Sequence, residues 1–128
     1  MHVTVETDEP IATVDITDQV SSAIPTDSTG QCTIFVEHTT AGVLIQENEP
    51  RLRSDIESIL ETIVPDSTYA HDELDGNARA HLQSMLLGPS LTIPIVDGDL
   101  LLGTWQSIML VDCDGPRTRR ITVTTVEQ

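Results

Sequence analysis

The sequence predicts an α+β domain, and three observations carry that expectation. Seven or so short runs are β-branched or alternate apolar with polar residues at a period of two, the spacing of a strand. Segments opening at Pro50 and Asn77 instead space their apolar residues by three and four, as a helix does. The chain has 128 residues, one domain's worth, so residues 1–128 are expected to share one core with no second folded unit. Together these give a mixed or antiparallel β-sheet of about seven strands with two to three helices.

Each element has its own local reason. His2–Thr7 alternates weakly, and Ile11–Ile16 puts Ala12, Val14 and Ile16 on one face, so both read as strands. Thr17 or Asp18 can cap a short helix that runs through Ile24 and is stopped by Pro25. Gln31–His38 is apolar on both faces and reads as a central strand; the Thr39–Gly42 turn breaks it and Val43–Asn48 resumes. Pro50 opens a helix with Leu52, Ile56, Ile59, Leu60 and Ile63 as its apolar stripe. Residues 65–76 form a long polar loop. Asn77–Leu87 returns to helical spacing with Ala78, Leu82, Met85 and Leu86 expected inward, and Gly88 signals its end. Leu91–Val96, Leu100–Cys113 and Arg119–Val126 are the last strands, with Asp97-Gly98 as a tight hairpin and Trp105 expected in the core.

Charge narrows the function classes. There are 21 acids against 6 cations, all Arg, for a formal charge of −15. A nucleic-acid backbone or an anionic membrane would be repelled over most of such a surface, so neither is an expected partner. The acids are spread along the chain, as suits a hydrated shell in a high-salt cytosol, and a halophilic source is expected. No apolar run approaches 18–20 residues and no signal-peptide profile appears, so the expected location is cytoplasmic. Cys32 and Cys113 sit in apolar strands and read as buried thiols.

The candidate chemistry lies with few residues. His38 closes a strand, His71 sits in the polar loop, and His81 shares a helix face with Asn77 and Ser84. Imidazoles converging with carboxylates could hold a divalent metal, zinc by default for N/O ligands; the alternative is a turn-bonded His38 with His71 and His81 exposed. Glu47, Asn48 and Asp55 follow a strand end and could supply a general base, or they are solvated surface. Arg117, Arg119 and Arg120 are the densest cationic spot and could bind a small anion, or they pair with Asp112 and Asp114. Gln106 could reach a ligand. Ser90 lacks the Gly-x-Ser-x-Gly setting of a hydrolase elbow.

In order along the chain, HTTAGVLIQENE (38–49), YAHD (69–72), NARAHLQSMLLGPSLTIPI (77–95) and GDLLLGTWQSIMLVDCDGPR (98–117) resemble the YjbQ family, whose members are called secondary thiamine-phosphate synthase enzymes. The likeness covers almost the whole chain. It implies an α+β fold, a homotrimer, a polar pocket near subunit contacts, a weak thiamine-phosphate synthase activity and a divalent metal, zinc or magnesium. The family's recurrent polar positions fall here on His38, Thr39, Thr40, Glu47, Asn48, Asp55, His71, Asp72, His81, Ser90, Gln106 and Arg117. At Asp112 the family often carries Glu. The resulting expectation is a small-metabolite enzyme, with His38, Glu47, Asn48 and Asp55 as catalytic candidates. Its ligand-binding candidates are Thr39, Thr40, Ser90, Gln106, Arg117 and Arg119, and its metal candidates are His38, His71 and His81. Two alternatives are a metal-dependent hydrolase or lyase and a non-catalytic metal- or anion-binding trimer.

Overall fold

The computed structural model describes all residues, Met1–Gln128. Its strands form two sheets in which every pairing is antiparallel. One sheet has five strands in the order β1 (His2–Glu6), β8 (Thr118–Glu127), β3 (Gly30–Val36), β5 (Ser90–Val96), β6 (Asp99–Leu100). The other has three, in the order β2 (Ala12–Asp15), β7 (Ser107–Asp112), β4 (Ala41–Gln46). Three helices, α1 (Thr17–Ser22), α2 (Pro50–Ile63) and α3 (Ala78–Leu87), and one 3₁₀ turn (Ala70–Glu73) complete the chain. The fold is α+β.

The main core lies between the two sheets, where Ile16, Val20, Cys32, Ile34, Ile108, Leu110 and Ile121 are fully buried. A second, smaller cluster of Leu60, Ala80, Val111 and Cys113 seats α2 and α3 on the far side of the three-stranded sheet. Burial in β3 alternates, leaving Gln31 and Phe35 exposed. The strand expected to be buried on both faces therefore has one open face, because no helix covers the five-stranded sheet.

Local chemistry explains most boundaries. Asp97 and Gly98 both have positive φ, as a two-residue hairpin between β5 and β6 requires. Pro50 starts α2, and the Glu49 carboxylate accepts the Leu52 amide at 2.8 Å. The short helix α1 is organised from outside: Asp15 Oδ1 accepts the Thr17 amide and hydroxyl at 2.9 and 2.6 Å, rather than Thr17 or Asp18 capping it. The expected Leu100–Cys113 strand is interrupted. Gly103 N–H donates to Gln106 Oε1 and the Gln106 amide returns to the Gly103 carbonyl, closing a turn that leaves Trp105 73% exposed instead of in the core.

Helix α3 is turned over relative to the expectation. Its buried residues are Ala78, Ala80, Gln83 and Ser84, whereas Met85 and Leu86 face solvent. Small side chains allow a close approach: a Cβ on Gly42 of β4 would collide with Leu87 Cβ and the Gly88 carbonyl. Gln83 donates to the Leu60 carbonyl and Ser84 to the Thr39 carbonyl, so its polar groups are satisfied in place.

Candidate functional site

The orientation of α3 places His81 at one end of the three-stranded sheet. There the segment after β3, the Thr39–Thr40 turn, the end of β7 and the start of β8 converge. They enclose a pocket of about 370 Å³ lined by ten residues, none hydrophobic. The lining comprises Glu37, His38, Thr39 and Thr40 from the turn, Asp75, Asn77 and His81 from α3 and its approach, and Asp114, Arg117 and Arg119 from the β7–β8 connection.

Beneath it lies a buried ion pair. Arg119 Nη2 donates to Asp112 Oδ1 at 2.5 Å and to Thr40 Oγ1 at 2.9 Å. Asp112 also accepts the Thr7 hydroxyl at 2.6 Å and the Asp114 amide at 2.9 Å. Burial alone would raise the Asp112 pKa, but the hydrogen bonds from Arg119, Thr7 and Asp114 with the Arg119 charge hold it below the ordinary carboxylate range. Arg119 is 2% exposed, yet its Nε has no hydrogen-bond partner. A buried guanidinium N–H without an acceptor is costly in a folded protein unless something else supplies the acceptor.

The imidazoles have separate roles. His38 Nε2 accepts the Arg120 amide at 2.8 Å, so the neutral ring carries its proton on Nδ1. Burial and the Arg119 charge push its pKa below the usual histidine value, which keeps the ring neutral. His71 and His81 meet edge to face, centroids 4.7 Å apart at 88°. His71 Nε2 is buried without a hydrogen-bond partner, 3.8 Å from Asp75 Oδ2. Asp72 positions this pair: one oxygen accepts the Tyr69 amide and the other the Ala78 amide, tying the 3₁₀ turn to the start of α3.

Of the residues named from sequence, His38, Thr39, Thr40, His81, Arg117 and Arg119 share the pocket and His71 stands behind it. The others are elsewhere. Gln46 pairs with Ser107 while Ala41 pairs with Asp112, so Glu47, Asn48 and Gln106 lie at the opposite end of β4 and β7. At about 3.4 Å per residue that separation is roughly 17 Å. Asn48 is bound there to Asp15 and Arg53, and Asp55 is exposed on α2. Ser90 starts β5 and is exposed outside the pocket. Glu37, Asp75, Asn77 and Asp114 line the pocket but were absent from the site chosen from sequence. Asn77 carried a signal in its helical spacing from His81, and Asp114 in its place as a partner for the arginine cluster. In a chain with 21 acids Glu37 and Asp75 looked like any others.

The three imidazoles do not assemble one metal centre. His38 Nε2 is occupied by an amide and its Nδ1 is protonated, and no group of three or more His, Cys, Asp or Glu side chains converges as a metal set.

The family model described as UPF0047 protein YjbQ-like matches residues 1–128. A UPF0047 protein of Methanothermobacter thermautotrophicus is 46% identical over 91% of this chain and 84% of its own length. One from Archaeoglobus fulgidus is 43% identical over 96% and 98%. Among solved structures, a hypothetical protein from Aeropyrum pernix K1 superposes with a TM-score of 0.95 at 36% identity, covering 100% of this chain and 98% of its own. A protein from Sulfolobus solfataricus P2, described as of unknown function, gives 0.92 at 38% identity over 100% and 96%. With sequence matched from end to end and backbone superposed throughout, the chain belongs to the YjbQ-like UPF0047 family.

Proposed function

We propose that the chain is a small-metabolite enzyme that works in the pocket between the Thr39–Thr40 turn and α3. One observation carries this reading: Arg119, whose buried Nε lacks an acceptor, and the imidazoles of His38 and His81 line one wholly polar cavity. Arg119 Nε receives an oxyanion of the ligand, a phosphate or a carboxylate. The His38 Nδ1–H donates a second hydrogen bond, and His81, backed by His71, moves a proton. Imidazole suits that task because it titrates near neutral pH. Glu47, Asn48 and Asp55 take no part, since they stand away from the pocket. The donor set does not fit a metal held by His38, His71 and His81 together, so no step is assigned to zinc or magnesium.

A thiamine-phosphate synthase reaction at this site would be a side activity. Loss of pyrophosphate requires cations that neutralise developing charge. Arg117 is bound to Asp114 at 2.9 Å and Arg119 to Asp112, so the charge of each guanidinium is already compensated and little is left to neutralise a departing diphosphate. The cavity of about 370 Å³ is near the lower end for ligand sites, about 300–1,000 Å³, which suits one compact metabolite better than two phosphorylated ones. Homotrimeric assembly is proposed as well, supported by exposed Trp105, Ile59, Ile63 and Met85 in an otherwise strongly charged chain. Light scattering should then give about three times 14.0 kDa, whereas a monomer mass would refute assembly.

The function is tested by an unbiased metabolite screen with wild type, His81→Ala and Glu47→Gln. Turnover lost in His81→Ala and kept in Glu47→Gln is the expected result. No turnover of any metabolite by the wild type would leave a binding protein in place of the enzyme.

A further inference from the structure

Charge pairing around the pocket goes further than an anion site. Each of the three clustered arginines, Arg117, Arg119 and Arg120, already has a carboxylate. Arg119 is held by Asp112 and Arg117 by Asp114, while Arg120 Nε lies 3.5 Å from Glu37. Glu37 is satisfied besides by the Thr122 hydroxyl at 2.8 Å. Asp75 is the remaining lining carboxylate. It has no arginine partner, its side chain is 61% exposed, and its nearest positive candidate is His71 at 3.8 Å, charged only when protonated. The pocket lining thus holds one unused buried donor, Arg119 Nε, and two unmet acceptors, the Asp75 carboxylate and the buried Asn77 Oδ1.

A polyanion gains little here. It would meet no arginine that lacks a carboxylate partner, and Asp75 would repel it in the field of a −15 chain. A ligand with one oxyanion and one ammonium group meets the Arg119 donor and the Asp75 and Asn77 acceptors at once. The oxyanion accepts from Arg119 Nε, which satisfies the stranded N–H, and the ammonium donates to Asp75.

We infer that the ligand of this pocket is a small zwitterion, one oxyanion and one amine on a compact frame, read by Arg119 and Asp75. This inference rests on the pocket being the functional site, as proposed above, and adds the class of molecule that enters it. The oxyanion could be a carboxylate or a phosphate monoester, since either gives the oxygen that Nε requires.

Matched probes test it. Propionate against β-alanine, and ethyl phosphate against O-phosphoethanolamine, differ within each pair only by the ammonium group. Dissociation constants by calorimetry or NMR titration should show the amine-bearing member of at least one pair binding at least about threefold tighter, the range of a partly exposed ion pair. The pair showing the preference identifies the oxyanion. In Asp75→Asn, a surface change that leaves folding intact, the two members should fall within about 1.5-fold of each other. Equal or tighter binding of the plain anions by wild type would overturn the zwitterion while leaving the enzyme site standing. A preference that survives in Asp75→Asn would overturn the assignment to Asp75. Binding of none of the four probes would overturn the inference, and turnover lost in His81→Ala would then still support the site itself.

Discussion

Removing the Asp112 carboxylate would leave Arg119 buried without its partner charge. Asp112→Asn is expected to cost about 3–5 kcal/mol in urea unfolding, and a loss below about 1 kcal/mol would show that the pair is not the anchor described here. His38 gives a pH signature. Because burial and Arg119 hold its pKa below the ordinary value, the unfolded chain takes up a proton first as pH falls. Its stabilisation is therefore complete above about pH 6.5 and is lost as pH falls towards the lower folded-state value. Unfolding free energies between about pH 7.5 and 5 should decline more steeply for wild type than for His38→Gln, and parallel curves would contradict this. Cys113 lies in the smaller core with its thiol pushed up to about 12, by burial first and then by the neighbouring Asp112 charge. Thiol reagents at mildly alkaline pH should leave it unmodified until the protein unfolds.

Helix α3 decides where His81 points, and its packing runs against its amphipathic pattern. Met85→Glu should change monomer stability by no more than about 0.5 kcal/mol, whereas Ala80→Leu should overpack the contact with β7 and cost about 1–3 kcal/mol. The reverse order would mean that Met85 and Leu86 face inward. This helix also shows what the sequence could and could not tell. The bounds of α2 and the β5–β6 hairpin were legible because Pro50 and Asp97-Gly98 act locally on φ and on turn type. The face of α3 was illegible because tertiary contacts set it: Ala80 packs with Leu60 and Val111, Ser84 donates to the Thr39 carbonyl, and Gly42 leaves room for Leu87. Trp105 was misplaced for a related reason: the Gly103–Gln106 turn, closed by a side chain, interrupts what otherwise reads as one long strand. At the site, His38 and Arg119 were visible as rare residue types at strand ends. Glu37 and Asp75 were hidden among equals, and Glu47 and Asn48, similar in chemistry, proved to be at the other end of the sheet.

On the scale of the whole molecule, two antiparallel sheets and a helical layer confine an acidic chain whose arginines are largely spent in pairs. The remaining carboxylates repel one another, and salt screens that repulsion. The melting temperature should rise by about 5 °C or more between about 0.1 and 2 M potassium chloride; a flat or falling curve would end the halophilic reading. No helix is long and apolar enough to cross a membrane. The polar residues suited to chemistry collect at one end of the three-stranded sheet, around a cavity of about 370 Å³. That the function resides there is the central claim. Its most direct test compares turnover of the first metabolite that the screen identifies by wild type, His81→Ala and the Glu47→Gln/Asp55→Asn double variant. The structure predicts a loss of about a hundredfold or more in His81→Ala, as removal of a general acid–base group causes, with the double variant near wild type. Full activity in His81→Ala together with loss in the double variant would contradict the account and move the site to the far end of β4.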